Sequence, residues 1–317
     1  MVSEFQFINH IKKRFSLDRI GDDCAVLSKD GTTDLLISAD LLIEDIDFRL
    51  DWAAPEQIGH KALAVSLSDI AAMGGTPTLA MLSIGVPQTL WDSEFTERFY
   101  EGWFDLASKF GVELIGGDTS SSPEKLVIDS IILGEVPKGM AIMRSGARPD
   151  DAIFVSGTLG GASGGLRLLK AGGSPTNSND SEANRISKQL RPRPQVELGK
   201  RLHELGIVTS MIDISDGLGS DLKHICEASG VGAVLDGESI PIDPSLYDVV
   251  RFDEAFDLAI NGGEDFELLF TVGESDLPAL GDLPVSRIGT ISSEQGDLAI
   301  SRNGTVETLV PSGFQHF

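Results

Sequence analysis

Short apolar runs that stop at an acid alternate along the chain with stretches of three- and four-residue apolar spacing. The first run, 34–39 (DLLISA), predicts a strand cut off by Asp40. A helix is expected from Pro55, where proline suits the first turn, to the Gly74-Gly75 pair. Strand 79–84 follows, then a helix capped by Asp92 with the stripe Phe95, Phe99, Trp103, Leu106 and Phe110, closed by Gly111. Strand 112–115 runs into Gly-Gly-Asp-Thr, strand 126–136 ends this half, and 137–151 reads as a connector. The second half begins with strand 152–156 and a glycine-rich stretch opening a helix through Lys170. A polar Gly/Ser/Asn-rich mobile loop is expected over 171–184. Helix 194–205, strand 210–214, helix 218–229, strand 232–235, a short helix 254–260 and strand 266–272 complete the pattern. Strands alternating with helices in both halves predict an α/β (α+β) protein of two domains, residues 1–137 and 138–317.

Composition narrows the function. The chain has 317 residues, with 25 Lys+Arg against 49 Asp+Glu and a formal net charge of −24. A surface this acidic repels nucleic acid and anionic membranes and attracts cations. Two cysteines, Cys24 and Cys226, build no disulfide framework, and no apolar run approaches a membrane span. A cytoplasmic protein without nucleic-acid or membrane partners is expected. No Gly-x-x-x-x-Gly-Lys-Ser/Thr occurs, and no Gly-x-Gly-x-x-Gly follows a strand. A Gly-x-Ser-x-Gly at 161–165 begins well after its strand ends, too late for a nucleophile elbow, and reads as a loop before a helix that still permits phosphate contact. Arg191-Pro-Arg-Pro194 reads as structural, and Arg144 in the connector as a phosphate candidate.

The position of the acids carries more than their number. Asp40, Asp118, Asp213 with Asp216, and Glu264 with Asp265 each follow an apolar run, two of these groups beside paired glycines, and the N-terminal Gly-Asp-Asp adds Asp22 and Asp23. Asp69 falls on the apolar stripe Ile58, Ala62, Val65, Ala72 and Met73, where an unpartnered carboxylate would be costly. Clustered carboxylates without Cys or His companions suit hard cations such as Mg²⁺, Mn²⁺ or Ca²⁺, and Mg²⁺ usually shares its sphere with substrate phosphates.

Taken in order, GDDCAV (21–26), SAD (38–40), KALAVSLSDIAAMGGTP (61–77), LIGGDT (114–119), RSGARPDD (144–151), IDISDGLGSDL (212–222), GGEDFEL (262–268) and the terminal GFQHF resemble thiamine-monophosphate kinases, within the aminoimidazole ribonucleotide synthetase superfamily. The resemblance implies an aminoimidazole ribonucleotide synthetase-like fold, with an N-terminal domain that pairs in a homodimer, a C-terminal α+β domain, and ATP between them. It implies several Mg²⁺ ions on Asp23, Ser38, Asp40, Asp69, Asp118, Asp213 and Asp216. Nucleotide contacts would come from Gly117, Asp118, Arg144 and Ser215, and thiamine-phosphate contacts from Asp47, Glu264 and Phe314. Asp47-Phe48 stands where many members have His-Phe, and Ala39 where others carry a hydroxyl. The implied reaction is Mg²⁺-dependent transfer of the ATP γ-phosphate to thiamine phosphate, without a covalent nucleophile. An aminoimidazole ribonucleotide synthetase type of enzyme, or a Mg-nucleotide-binding protein without turnover, is the alternative.

Overall fold

A computed structural model describes residues 4–17, 19–174, 180–248 and 250–314. After helix α1 (Glu4–Phe15), the N-terminal half runs β1 (Ala25–Ser28), β2 (Thr33–Ile43), α2 (Pro55–Ala72), β3 (Thr76–Pro87) and a single turn α3 (Gln88–Trp91). It continues through α4 (Phe95–Phe110), β4 (Glu113–Gly116), β5 (Thr119–Ser122) and β6 (Val127–Pro137). These strands form a mixed sheet in the order β1-β2-β6-β3-β4, with β5 also on β3. The remainder is β7 (Ala152–Ser156), α5 (Gly161–Lys170), α6 (Asp180–Leu190), α7 (Val196–Leu205), β8 (Val208–Asp213), α8 (Leu218–Ser229), β9 (Gly232–Asp236), α9 (Phe252–Asn261), β10 (Leu268–Val272), β11 (Val285–Ser292), β12 (Leu298–Arg302) and β13 (Thr305–Thr308), with three short 3₁₀ turns. Its sheet runs β13-β12-β9-β11-β7-β10-β8.

Helix α2 is the centre of the molecule. Pro55 opens it, and the Gln57 side chain accepts a hydrogen bond from the Ala54 N–H at 2.8 Å. From Ile58 to Gly75 every residue is buried except Asp69. A helix enclosed on nearly all sides has no solvent face, so the stripe that singled out Asp69 in the sequence is less distinct than the spacing predicts. Helix α4 presses on α2 through two glycines: a Cβ at Gly59 would lie 1.9 Å from the Phe99 carbonyl oxygen, and one at Gly102 would lie 1.9 Å from that of Glu56. On the C-terminal side Gly199 of α7 abuts Ala71 in the same way.

One hydrophobic core runs through both halves. Phe154 and Phe270 stack with ring centroids 5.5 Å apart and belong to the cluster that holds Ile58, Leu63, Ile70 and Trp103. Their strand neighbours Ile153, Val155 and Leu269 point to the other sheet face and a second core with α8 and α9. This is the alternation expected of a sheet covered on both sides.

Several local expectations change. Asp92 does not cap α4; it closes the preceding turn α3, and Glu94 stands at the α4 N-cap. The expected loop 171–184 lies partly outside the described residues, at 175–179, but from Asp180 the chain is already in α6, whose Ile186 and Leu190 are buried. Of the Asn and Ser residues that suggested a loop and fall on described residues, Ser181 stands in the first turn of that helix and Asn184 in the second. The last three residues of GFQHF lie outside the described residues.

Gly59→Ala and Gly102→Ala are each expected to lower folding stability by about 1–3 kcal/mol, because neither helix backbone can recede without opening the core. Gly31→Ala, with nothing within 4 Å of its added methyl, should leave stability nearly unchanged. Urea denaturation of the three variants checks this, and equal midpoints would refute the close-packing argument.

Candidate active site

Polar groups gather where the two halves meet over the open corner of α2. The inner face of β2 presents Leu36, Ser38, Asp40 and Leu42 in alternation, so one strand delivers two polar side chains among apolar ones. Asp23 arrives on the segment before β1, Asp69 from α2, and Asp213 from the end of β8. One carboxylate oxygen from each of Asp23, Asp69 and Asp213 lies within 4.8 Å of the other two.

Each of these acids is held by one oxygen. Ser38 Oγ donates to Asp69 Oδ2 in a short bond, Ser66 Oγ to Asp40 Oδ2 at 2.7 Å, and Ser68 Oγ to Asp213 Oδ2 at 2.6 Å. Arg144 donates to Asp23 Oδ1 through Nε at 3.1 Å and Nη2 at 2.5 Å, and its backbone N–H donates to Asp22 at 2.6 Å. Asp23 Oδ2 is buried with no hydrogen-bond partner. A buried carboxylate oxygen left open beside two further carboxylates is what a hard divalent cation would complete, so these residues fit Mg²⁺.

The electrostatics agree. Burial, joined by the charges of Asp40, Asp213 and Asp23, lifts Asp69 well above the ordinary carboxylate range. Burial and then Asp23 push Asp213 up to about 7, against the hydroxyl of Ser68. Burial raises Asp40 to about 6, with Ser66 opposing. Asp23 is raised by burial, although the Arg144 guanidinium pulls it down. The buried Cys24 thiol beside them is pushed well up by burial and the same acids, which keeps it unreactive.

The other expected residues fall in three places. Asp118 lies exposed on the turn between β4 and β5, its Oδ1 accepting from the Thr119 N–H at 2.9 Å, and belongs to neither close carboxylate group among the described residues. Gly117 before it has φ +147° and passes over β3 so closely that a Cβ would lie 1.8 Å from the Leu82 carbonyl oxygen. Asp216 is grouped with Asp221 and His224 at the start of α8. The Phe314 N–H donates to the Asp216 carbonyl at 3.1 Å, which brings the half-exposed phenyl ring to the same corner. Glu264 sits in left-handed backbone at φ +67°, its N–H bonded to the Ser215 carbonyl at 2.8 Å. A non-glycine residue held there marks stored strain, which concentrates at functional sites.

Lys61 was not visible as a site residue. Buried on α2, it forms an ion pair with Glu264 Oε1 at 2.6 Å and donates to the Asp47 carbonyl at 2.9 Å. Gln189 of α6 donates to the other Glu264 oxygen. Lys61 thereby joins two residues expected to contact substrate. The available signal was a row of polar residues, Lys61, Ser66 and Ser68, inside an otherwise apolar helix. The glycine-rich stretch before α5 offers no open phosphate cradle: Asp265 accepts from the Gly160 and Ala162 N–H groups at 2.6 and 3.1 Å and occupies that helix start. Ser163 Oγ donates to the Gly263 carbonyl at 3.4 Å.

This arrangement matches a known class. Models of the AIR synthase related protein family match residues 21–136 with its N-terminal domain and 148–300 with its C-terminal domain. Thiamine-monophosphate kinase of Bacillus subtilis is 36% identical over 331 residues, covering 100% of both chains, and that of Escherichia coli K12 is 38% identical over 94% of this chain and 91% of its own. The structure titled "AaThiL complexed with AMPPCP and TMP" superposes with TM-score 0.90 at 32% identity, over 100% of this chain and 97% of that one. Thiamine-monophosphate kinase from Stenotrophomonas maltophilia gives TM-score 0.79 at 37% identity, over 96% and 98%. The hydrogenase maturation protein HypE, TM-score 0.72 at 21% identity over 95% and 96%, shares the fold. The chain belongs to the thiamine-monophosphate kinase family, within the AIR synthase related proteins.

Acids whose folded-state pKa is raised stabilise the fold relatively below the unfolded value near 4, and that contribution is lost as pH rises through the folded values. For Asp40 and Asp213 those values are about 6 and about 7. In EDTA the protein is therefore expected to melt at a higher temperature near pH 5 than near pH 8, and Asp213→Asn should flatten the fall. Calorimetric melts across that range test it; a melting temperature that climbs steadily with pH would contradict the clustering.

Proposed function

We propose that this chain transfers the γ-phosphate of ATP to thiamine phosphate, giving ADP and thiamine diphosphate. The observation that carries the reading is the convergence of Asp23, Asp69 and Asp213 from three elements of both halves, each with an oxygen left open. The relatives' names support the same substrates.

Asp23, Asp69 and Asp213 would hold Mg²⁺ ions, with Ser38, Asp40, Asp118 and Asp216 as further ligands. Such ions supply the positive charge that lets two polyphosphate chains approach. The serines orient the acids without adding charge. Gly117 and Ser215 offer backbone contacts to nucleotide, and Arg144 a guanidinium for phosphate. Glu264, steadied by Lys61 and Gln189, would face the cationic thiazolium, and Phe314 would lie against it, a contact of about 0.5–2 kcal/mol. The acceptor phosphate is largely ionised near neutrality, its second pKa being about 6, so no general base is required. The oxygen–phosphorus bond to the acceptor forms as the one to ADP breaks. No thiolate competes, since burial also drives Cys226 up to about 12.

Release of ADP dependent on thiamine phosphate, and not on aminoimidazole precursors, is the expected result of a coupled assay. Asp69→Asn should lower kcat/KM by about a hundredfold or more, yet melt in EDTA no lower than the parent chain. Turnover near the parent rate in that variant, or a phosphorylated protein trapped on the path, would sink the reading.

A homodimer in the cytoplasm belongs to the same proposal. The sheet face turned away from α2 carries Leu35, Ile37, Leu41, Met81, Ile131 and Leu133, none of them buried. An apolar sheet face of this kind is the expected contact between two copies. No helix among the described residues is long and apolar enough to cross a membrane. Leu41, 57% exposed, placed as Leu41→Glu should shift sedimentation from dimer to monomer; a parent chain already monomeric at micromolar concentration would refute the pairing.

A further inference from the structure

Unpaired cations collect on this acidic chain at a place that none of the expected site residues lines. A cavity of about 460 Å³ opens between α2, α4, the end of α6 and the segment 191–194. Lys109, Arg191 and Arg193 line it. Among the described residues none of the three has an ion-pair partner within 4.0 Å, although acids outnumber bases almost two to one. Glu56 and Asp105 lie within electrostatic reach of this corner, but Glu56 is paired with Arg98 and neither acid forms an ion pair with the three cations, so a bound anion would relieve the repulsion among them.

The remaining wall is built rather than incidental. His60 is 5% exposed, and its Nε2–H donates to the Pro192 carbonyl at 2.9 Å, which fixes the tautomer. Its Nδ1 is then an acceptor, buried and without a hydrogen-bond partner. Leu106 and Phe110 supply apolar surface. The volume falls within the roughly 300–1,000 Å³ of small-molecule sites, which combine apolar walls with a few fixed polar groups.

We propose that this cavity binds a phosphorylated small molecule. Its phosphate is held by Lys109, Arg191 and Arg193, and its ring or chain lies on Leu106 and Phe110. The location gives such binding a route to the substrate corner. His60 precedes Lys61 on α2, and Ser187, also on the cavity wall, lies one residue short of the Lys188–Gln189 pair on α6. Lys61 and Gln189 are the two groups that grip Glu264. The proposal does not rest on the kinase reading.

Phenyl phosphate, a phosphate ester with an apolar ring, is the probe. Titrated calorimetrically into the full chain in EDTA, it meets an acid cluster that repels anions, so heat reports the basic cavity. Saturable binding at millimolar concentration is expected. Lys109→Ala/Arg193→Ala removes two exposed side chains, which leaves the fold intact as judged by its melting temperature, and should weaken binding about tenfold or more. Absence of saturable binding in the parent chain, or equal affinity in the double variant, would overturn the assignment.

Discussion

The whole structure depends on one requirement: α2 must be the buried centre of the molecule and still carry polar side chains. A buried polar group without a partner costs about 1–3 kcal/mol, so each must be met by a specific donor or acceptor. His60 meets Pro192, Lys61 meets Glu264 and Asp47, Ser66 meets Asp40 and Ser130, Ser68 meets Asp213, and Asp69 meets Ser38. Those partners come from β2 and the segment after it, β6, β8 and the segments beside α6 and β10. Satisfying one helix therefore fixes how the two halves approach, and the same bonds build the site. The shared core, in which Phe154 and Phe270 lie with Ile58 and Trp103, supplies the apolar part of that approach.

The cost of the arrangement is electrostatic. Asp23, Asp40, Asp69 and Asp213 lie close in a low-dielectric corner, with Arg144 as the cation bonded to one of them. Like charges so placed raise one another's pKa and weaken the fold at neutral pH. Sites that hold charge in readiness for a ligand commonly trade stability in this way.

Much of this was legible in the chain. Strands that end in acids are visible because a buried strand reads as an apolar run and its exit as a charge, and Asp213 does close β8. Asp40, expected to cut off the first strand, instead lies inside β2, which continues to Ile43 because an alternating strand can carry a carboxylate on one face. Helix α2 was legible from Pro55 and Gly74-Gly75. Asp69 was singled out on a stripe, whereas its distinction is to be the one incompletely buried residue between Ile58 and the end of a helix enclosed nearly all round. Periodicity cannot separate those cases, because both show apolar residues at the same spacing. Helix α1, the short strands β1 and β5, and β11 to β13 escaped notice. Leu27 and Val306 sit in four-residue runs at sheet margins, too short for alternation to register. Strand β11 is eight residues long and central, but its buried positions do not alternate, so neither period shows. The union of Lys61 with Glu264 was beyond reach, since only the packing of α2 against the second half brings them together.

The choice of partner for each acid carries a further consequence. Three of the four carboxylates are pinned by serine hydroxyls through Oδ2, and the fourth by a guanidinium through Oδ1. A hydroxyl fixes the orientation of a carboxylate and lowers its pKa somewhat, but leaves its charge uncompensated. Lysines in those places would have stabilised the corner and cancelled the negative field that the proposed divalent cation requires. Arg144 is the exception, and it stands on the connector rather than on α2 or either sheet. On the proposed function, a cation there would be free to pass from Asp23 to a phosphate once another positive charge took its place, a role that Lys61, sealed in α2, could not fill. Neutral donors on the rigid elements thus hold geometry, and in the proposed reaction the guanidinium on the connector would supply the charge that is exchanged.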